Sequence, residues 1–183
     1  MISFGKRKVF RMDEKNAGLP ALVSNLSGSR LPTWEELPDF ELYMDQVLSL
    51  AERFLGAQPG GDGKGLTASM VNNYVKLGVV PAPVKKRYGR AQLATLLMVC
   101  QLKQVLPIAS IQTLLSAALE KESLEAVYGR FLSEYRRASE QSLEAARALD
   151  GASCDGVLRA ALLARSEQAL ALGLLSLLGP DEG

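Results

Sequence analysis

Residues 66–93, LTASMVNNYVKLGVVPAPVKKRYGRAQL, place a short helix with a polar side, a proline-stiffened excursion and five cations in one run. Thr67 suits a helix N-cap, because its hydroxyl can accept from a first-turn N–H, and Gly78 suits a helix end. The spacing predicts a helix over 68–77. Met70, Val71, Tyr74, Val75 and Leu77 fall on its apolar side, while Ser69, Asn72, Asn73 and Lys76 recur at i, i+3, i+4 and i+7 as one outer stripe. Beyond Gly78, Pro81 and Pro83 bias their predecessors toward extended backbone. Lys85, Lys86, Arg87, Tyr88 and Arg90 follow, and a new apolar helix begins near Ala91. Asn can pair bidentately with adenine, Lys reaches guanine or phosphate, and a basic loop beside a groove-binding helix can rest on the backbone. Ser69, Asn72, Asn73 and Lys76 are therefore expected to face base edges from a recognition helix in the major groove. Lys85, Lys86, Arg87, Tyr88 and Arg90 are expected to contact phosphates from a wing over 84–90. The same pattern also suits a solvated helix face followed by a solvated charge run.

Charge is distributed to match. The 183 residues hold 21 cations and 20 anions, a formal net charge of +1, but the two signs are separated along the chain. Between residues 60 and 106, Lys64, Lys76, Lys85, Lys86, Arg87, Arg90 and Lys103 meet only Asp62. Between 33 and 58, Glu35, Glu36, Asp39, Glu41, Asp45 and Glu52 meet only Arg53. Near-neutrality overall thus hides a basic block centred on the helix and wing.

The chain has no histidine, which removes the commonest catalytic base and zinc ligand. Cys100 and Cys154 sit within helical apolar patterns and are expected to be core thiols. No nucleophile–base pair, metal spacing or cofactor motif stands out, so the expectation is a non-enzymatic protein with no metal and no cofactor. Gly63-Lys64 brushes against a phosphate-binding loop, but Gly65 follows where Ser or Thr is needed, and a helix rather than a strand precedes it. Met1 to Lys15 is basic without an apolar run, and no stretch approaches spanning length, so a cytoplasmic location and no membrane partner are expected.

Residues 1–30 read as a flexible basic arm. Residues 31–118 read as a helical domain containing the stretch above. Its first helix is expected to start at Pro38-Asp39, with Asp39 as N-cap, and to end at Gly56. Trp34 and Leu37 are expected to fold back on it. The helix after Ala91 is apolar on more than one side and is expected to be central. Residues 119–179 read as a helical hairpin with a break at Asp150-Gly151 and an end at Gly179-Pro180. Its second helix carries a stripe of Val157, Leu158, Ala161, Leu162, Ala169, Leu170, Leu174 and Leu177.

The order helix, Gly-apolar-apolar-Pro, basic wing with Tyr, helix resembles the MerR-type winged-helix regulators. Asn72-Asn73-Tyr74 occupies their Arg-aromatic-Tyr run, with Asn72 where that family has Arg, and Lys86-Arg87-Tyr88 with Leu93 occupies their wing pattern. Three blocks, LPDFELYMDQVLSLAERFL, LTASMVNNYVKLGVVPAPVKKRYGR and LLMVCQLKQVLPIASIQTLL, resemble in order those of the family of bacterial proteins called domain of unknown function 1836. The resemblance covers about residues 31–115. Together these imply an all-α, mainly helical chain, with a MerR-like winged helix-turn-helix and a C-terminal helical hairpin. The functional expectation is a DNA-binding transcriptional regulator whose partners are double-stranded DNA and a second copy joined through the C-terminal helices. No pattern specifies a small-molecule effector. The alternative is a protein-interaction module on the same scaffold that does not bind DNA.

Overall fold

Eight consecutive residues, Leu93 to Cys100, are buried without interruption, which requires a helix covered on every side. The computed structural model describes residues 30–56, 65–149 and 153–178, together with 18, 20, 23 and 24. Most of the expected basic arm, the loop 57–64 and both the 150–151 and 179–180 breaks lie outside the described residues. Six helices form among those described: α1 (Met44–Leu55), α2 (Ala68–Lys76), α3 (Arg90–Leu102), α4 (Ile108–Leu119), α5 (Leu124–Arg147) and α6 (Cys154–Ser176). No strand does; extended pairing is confined to two isolated antiparallel bridges, Leu42 with Tyr88 and Val84 with Arg87. The chain is all-helical in class.

The central helix is α3, as its composition implies. It packs on α1, α4 and α5, and α1 also touches α2 despite the long loop between them. Its one buried hydroxyl, on Thr95, donates to the Ala91 carbonyl at 2.9 Å and so is satisfied within the helix. The first turns of α5 belong to the same core: Val127, Tyr128 and Leu132 are buried. The Tyr128 hydroxyl donates to the Pro32 carbonyl at 2.9 Å and ties α5 to the segment preceding α1. Trp34 lies against Tyr128 of α5 with ring centroids 6.1 Å apart, and not on the first helix alone as expected, and Leu37 is fully covered.

Three local expectations need correction. The first helix starts at Met44 with Tyr43 as N-cap, whose N–H is accepted by the Gln46 side chain at 2.8 Å; Asp39 caps nothing, and Phe40 and Tyr43 are exposed. The reason is the exchange of two hydrogen bonds between Leu42 and Tyr88, at 2.8 and 2.9 Å, which holds the backbone extended where a helix would otherwise begin. Cys154 is exposed at the start of α6, whereas Cys100 is buried and its thiol pKa is pushed up to about 11 by that burial.

The third correction concerns α6. Every residue from 157 to 167 is exposed, so α5 and α6 do not pack along each other there. The pair meets at its turn, where Ala146 is buried. The far half of α6 returns to α4 instead, and the Gln168 amide donates to the Val105 carbonyl at 2.7 Å.

Leu96→Ala should cost about 2–5 kcal/mol in urea unfolding, because the fully enclosed site cannot collapse. Tyr128→Phe should cost about 1 kcal/mol through the lost bond to Pro32. Thiol titration of the native protein should count one reactive cysteine, Cys154, and two after denaturation.

Candidate nucleic-acid interface

The polar helix is built by local chemistry at both ends. The Thr67 hydroxyl accepts from the Met70 N–H at 3.3 Å and caps α2. At the other end Gly78 has φ +72°, a left-handed conformation that side chains resist. Its N–H reaches the Val75 carbonyl, and the Val79 N–H reaches the Tyr74 carbonyl, both at 3.0 Å, forming a Schellman cap. The Gln112 side chain on α4 donates to the Leu77 carbonyl at 2.9 Å and fixes this end against the body. With both ends held, Val71 and Tyr74 turn inward and are buried, and burial raises the Tyr74 hydroxyl pKa. Ser69, Asn72, Asn73 and Lys76 are all exposed, so the four residues share the outer face as their spacing implies.

After Val79 and Val80, which enter the core, the chain forms a two-residue hairpin. Val84 and Arg87 exchange both backbone bonds, at 3.0 and 2.9 Å, around Lys85 and Lys86 at φ +50° and +63°. Positive φ at both central positions is the type I′ signature, normally supplied by Asn and Gly. Here two lysines occupy it, each at a steric cost of about 1–2 kcal/mol. The base of the hairpin is clamped by one side chain: Gln92 donates to the Ala82 carbonyl at 3.1 Å and accepts from the Gly89 N–H at 2.9 Å. The bridge to Leu42 anchors the outgoing arm.

This geometry divides the basic run. Lys85 and Lys86 are exposed at the tip, and neither they nor Lys76 has an acidic partner among the described residues. Arg87 is engaged: its guanidinium lies 4.3 Å from the Tyr43 ring centroid, and its Nε is 3.7 Å from a Glu41 carboxylate oxygen. Arg90 is half-buried, 5.8 Å from the Trp34 ring centroid, and its Nε has no hydrogen-bond partner. Tyr88 is removed from the surface altogether. At 4% exposure its ring is core, its hydroxyl pKa is raised by burial, and it pairs through its backbone; it cannot offer a hydroxyl to a phosphate as expected. Gln112, which holds the end of α2, and Gln92, which clamps the hairpin base, were not among the expected site residues, and neither left a signal in the sequence.

Residues 32–131 match the family described as Domain of unknown function (DUF1836). The chain belongs to the DUF1836 family. The match begins at the segment anchored by Tyr128, spans α1 to α4 and ends inside α5, so in this DUF1836 protein it contains the polar helix, the hairpin and the whole of α3. No curated protein and no solved structure matches the chain. Among the described residues no cluster of His, Cys, Asp or Glu could hold a metal ion, and no helix is long and apolar enough to cross a membrane.

Converting the tip to the sequence the turn prefers, Lys85→Asn with Lys86→Gly, should raise unfolding stability by about 1 kcal/mol. Equilibrium urea melts of the pair variant and the parent check this.

Proposed function

We propose that this DUF1836 protein is a non-enzymatic, cytoplasmic DNA-binding regulator, arranged as a MerR-like winged helix-turn-helix. In this scheme α1 and α2 are the helix pair, α2 enters the major groove, and the hairpin at 84–87 serves as the wing. Ser69, Asn72, Asn73 and Lys76 face base edges, and Lys85 and Lys86 meet phosphates. Arg87 and Arg90 act differently from the sequence expectation: each is held by its own aromatic ring and steadies the base of the wing.

The observation that carries the proposal is the unpaired lysine pair at the strained tip, following a helix whose whole exposed stripe is amide, hydroxyl and ammonium. Strain tolerated at a surface turn with no packing benefit points to a use for those two side chains. Reach is compatible too. The chain from Lys76 to Lys85 spans at most about 30 Å when fully extended, within one turn of a duplex, so one end of the helix and the tip can touch the same stretch of DNA. Opposing the proposal is the acidic exposed side of α1, with Asp45 and Glu52, which favours a protein partner.

Fluorescence polarisation against random-sequence duplex distinguishes the two. Binding that weakens steeply with salt is expected, and Lys85→Ala with Lys86→Ala should lower the slope of log K against log salt by about 2. Asn73→Ala should change which duplex is preferred, by about 1–3 kcal/mol, with little change in that slope. Absence of binding even at low salt would leave the protein-interaction role as the better account.

A further inference from the structure

We propose that the outer face at the base of the hairpin docks an extended peptide segment of a partner protein, one that carries a bulky apolar residue beside lysine or arginine. Three short extended pieces lie side by side here, Leu42 paired with Tyr88 and Arg87 paired with Val84. Leu42 and Tyr88 are buried, so their chain neighbours Tyr43 and Arg87 turn outward. Opposed residues share a face, which sets Val84, Arg87 and Tyr43 in one row. The Arg87 guanidinium lies 4.3 Å from the Tyr43 ring centroid, as that register requires. Glu41, two residues before Tyr43, reaches the same row, with a carboxylate oxygen 3.7 Å from the Arg87 Nε.

The row is apolar at both ends and uncovered. Val84 is 63% exposed, Tyr43 is 52% exposed, and Phe40, on the approach to Tyr43, is 62% exposed. Single exposed apolar side chains are ordinary, whereas a contiguous group marks a contact surface. Three extended pieces side by side make a row about 10 Å across, which suits one extended chain. A folded partner would cover about 800 Å² instead. The backbone is open on the same side. Leu42 directs its N–H and C=O at Tyr88, so those of Glu41 face away from the hairpin, and neither has a partner among the described residues. A peptide laid along this side as an added strand would take up both.

Charge selects a cationic peptide. Asp39, Glu41 and Asp45 flank Phe40 and Tyr43 in the chain and are exposed, and of the three only Glu41 has an ion pair among the described residues. Arg87 is the one cation of the row, and Glu41 and the Tyr43 ring already engage it. A lysine or arginine set opposite Glu41 would share its carboxylate, while an apolar neighbour covers the aromatic side chains. A phosphate backbone would meet three carboxylates here, so this surface is distinct from the lysine tip.

Panning phage-displayed random dodecapeptides on the full chain, then measuring fluorescence polarisation of the most enriched peptide made synthetically, tests this. Enriched peptides are expected to carry Phe, Trp, Leu or Ile within two residues of Lys or Arg. Tyr43→Ala with Val84→Ser should weaken binding by on the order of tenfold. Asp39→Asn with Asp45→Asn should weaken it several-fold and flatten its salt dependence. The aspartates are exposed and unpaired, so this second variant decides the matter should the first fail to fold by circular dichroism. Lys85→Ala with Lys86→Ala should leave peptide binding unchanged. A library that yields no enrichment overturns the proposal, as do enriched peptides without cations, or binding indifferent to the first two variants. The inference does not rest on the DNA-binding reading: a chain that takes the peptide and ignores duplex would sink that reading and leave this one standing.

Discussion

Burial of Leu93 to Cys100 is the constraint from which the rest of the structure follows. A helix that is apolar on every side must be surrounded, so α1, α4 and α5 gather on α3. The helix that starts at Arg90 also fixes where the hairpin ends, and Gln92 in its first turn clamps the hairpin base. Tyr88, the last residue of the hairpin, is drawn into the same core and brings Leu42 into backbone pairing with it. The surface that carries the lysine tip is therefore positioned by the interior, with Lys85 and Lys86 exposed at its apex beside Val84.

Legibility in the sequence followed the range of the interaction. Both ends of α2 could be read because Thr67 and Gly78 act through bonds to residues three to five positions away. The outer stripe could be read for the same reason, since helical period fixes which residues share a face. The start of α1 could not. Asp39 has good capping chemistry, but a partner far along the chain held Leu42 extended and overrode it. The hairpin was legible as a basic excursion and illegible as a type I′ turn, because lysine is not a residue that announces positive φ. Tyr88 stood in a run of cations and so seemed to belong with them, whereas its neighbours Lys85 and Lys86 point out and it points in.

The last helix shows a different limit. Apolar period identifies a helix and suggests a covered face, but α6 is apolar nearly everywhere, and its period alone cannot say which side meets the body. The stripe read from the sequence is exposed, and the body is met by Gln168, Ala171 and Leu175. A polar residue mediates that contact by donating to the Val105 carbonyl near the end of α3, a bond with no counterpart in hydrophobic patterning. The difference is physical: α3 places its apolar surface in the chain's own core, and α6 leaves most of its own exposed.

Whether the outer face of α2 and the lysine tip act as one surface is best asked directly, by mapping amide and side-chain NMR shifts while a short duplex is added. The account predicts that Ser69, Asn72, Asn73, Lys76, Lys85 and Lys86 move together along one titration curve while exposed positions on α5 stay still. Shifts confined to α1, or a tip that responds while α2 does not, would contradict it.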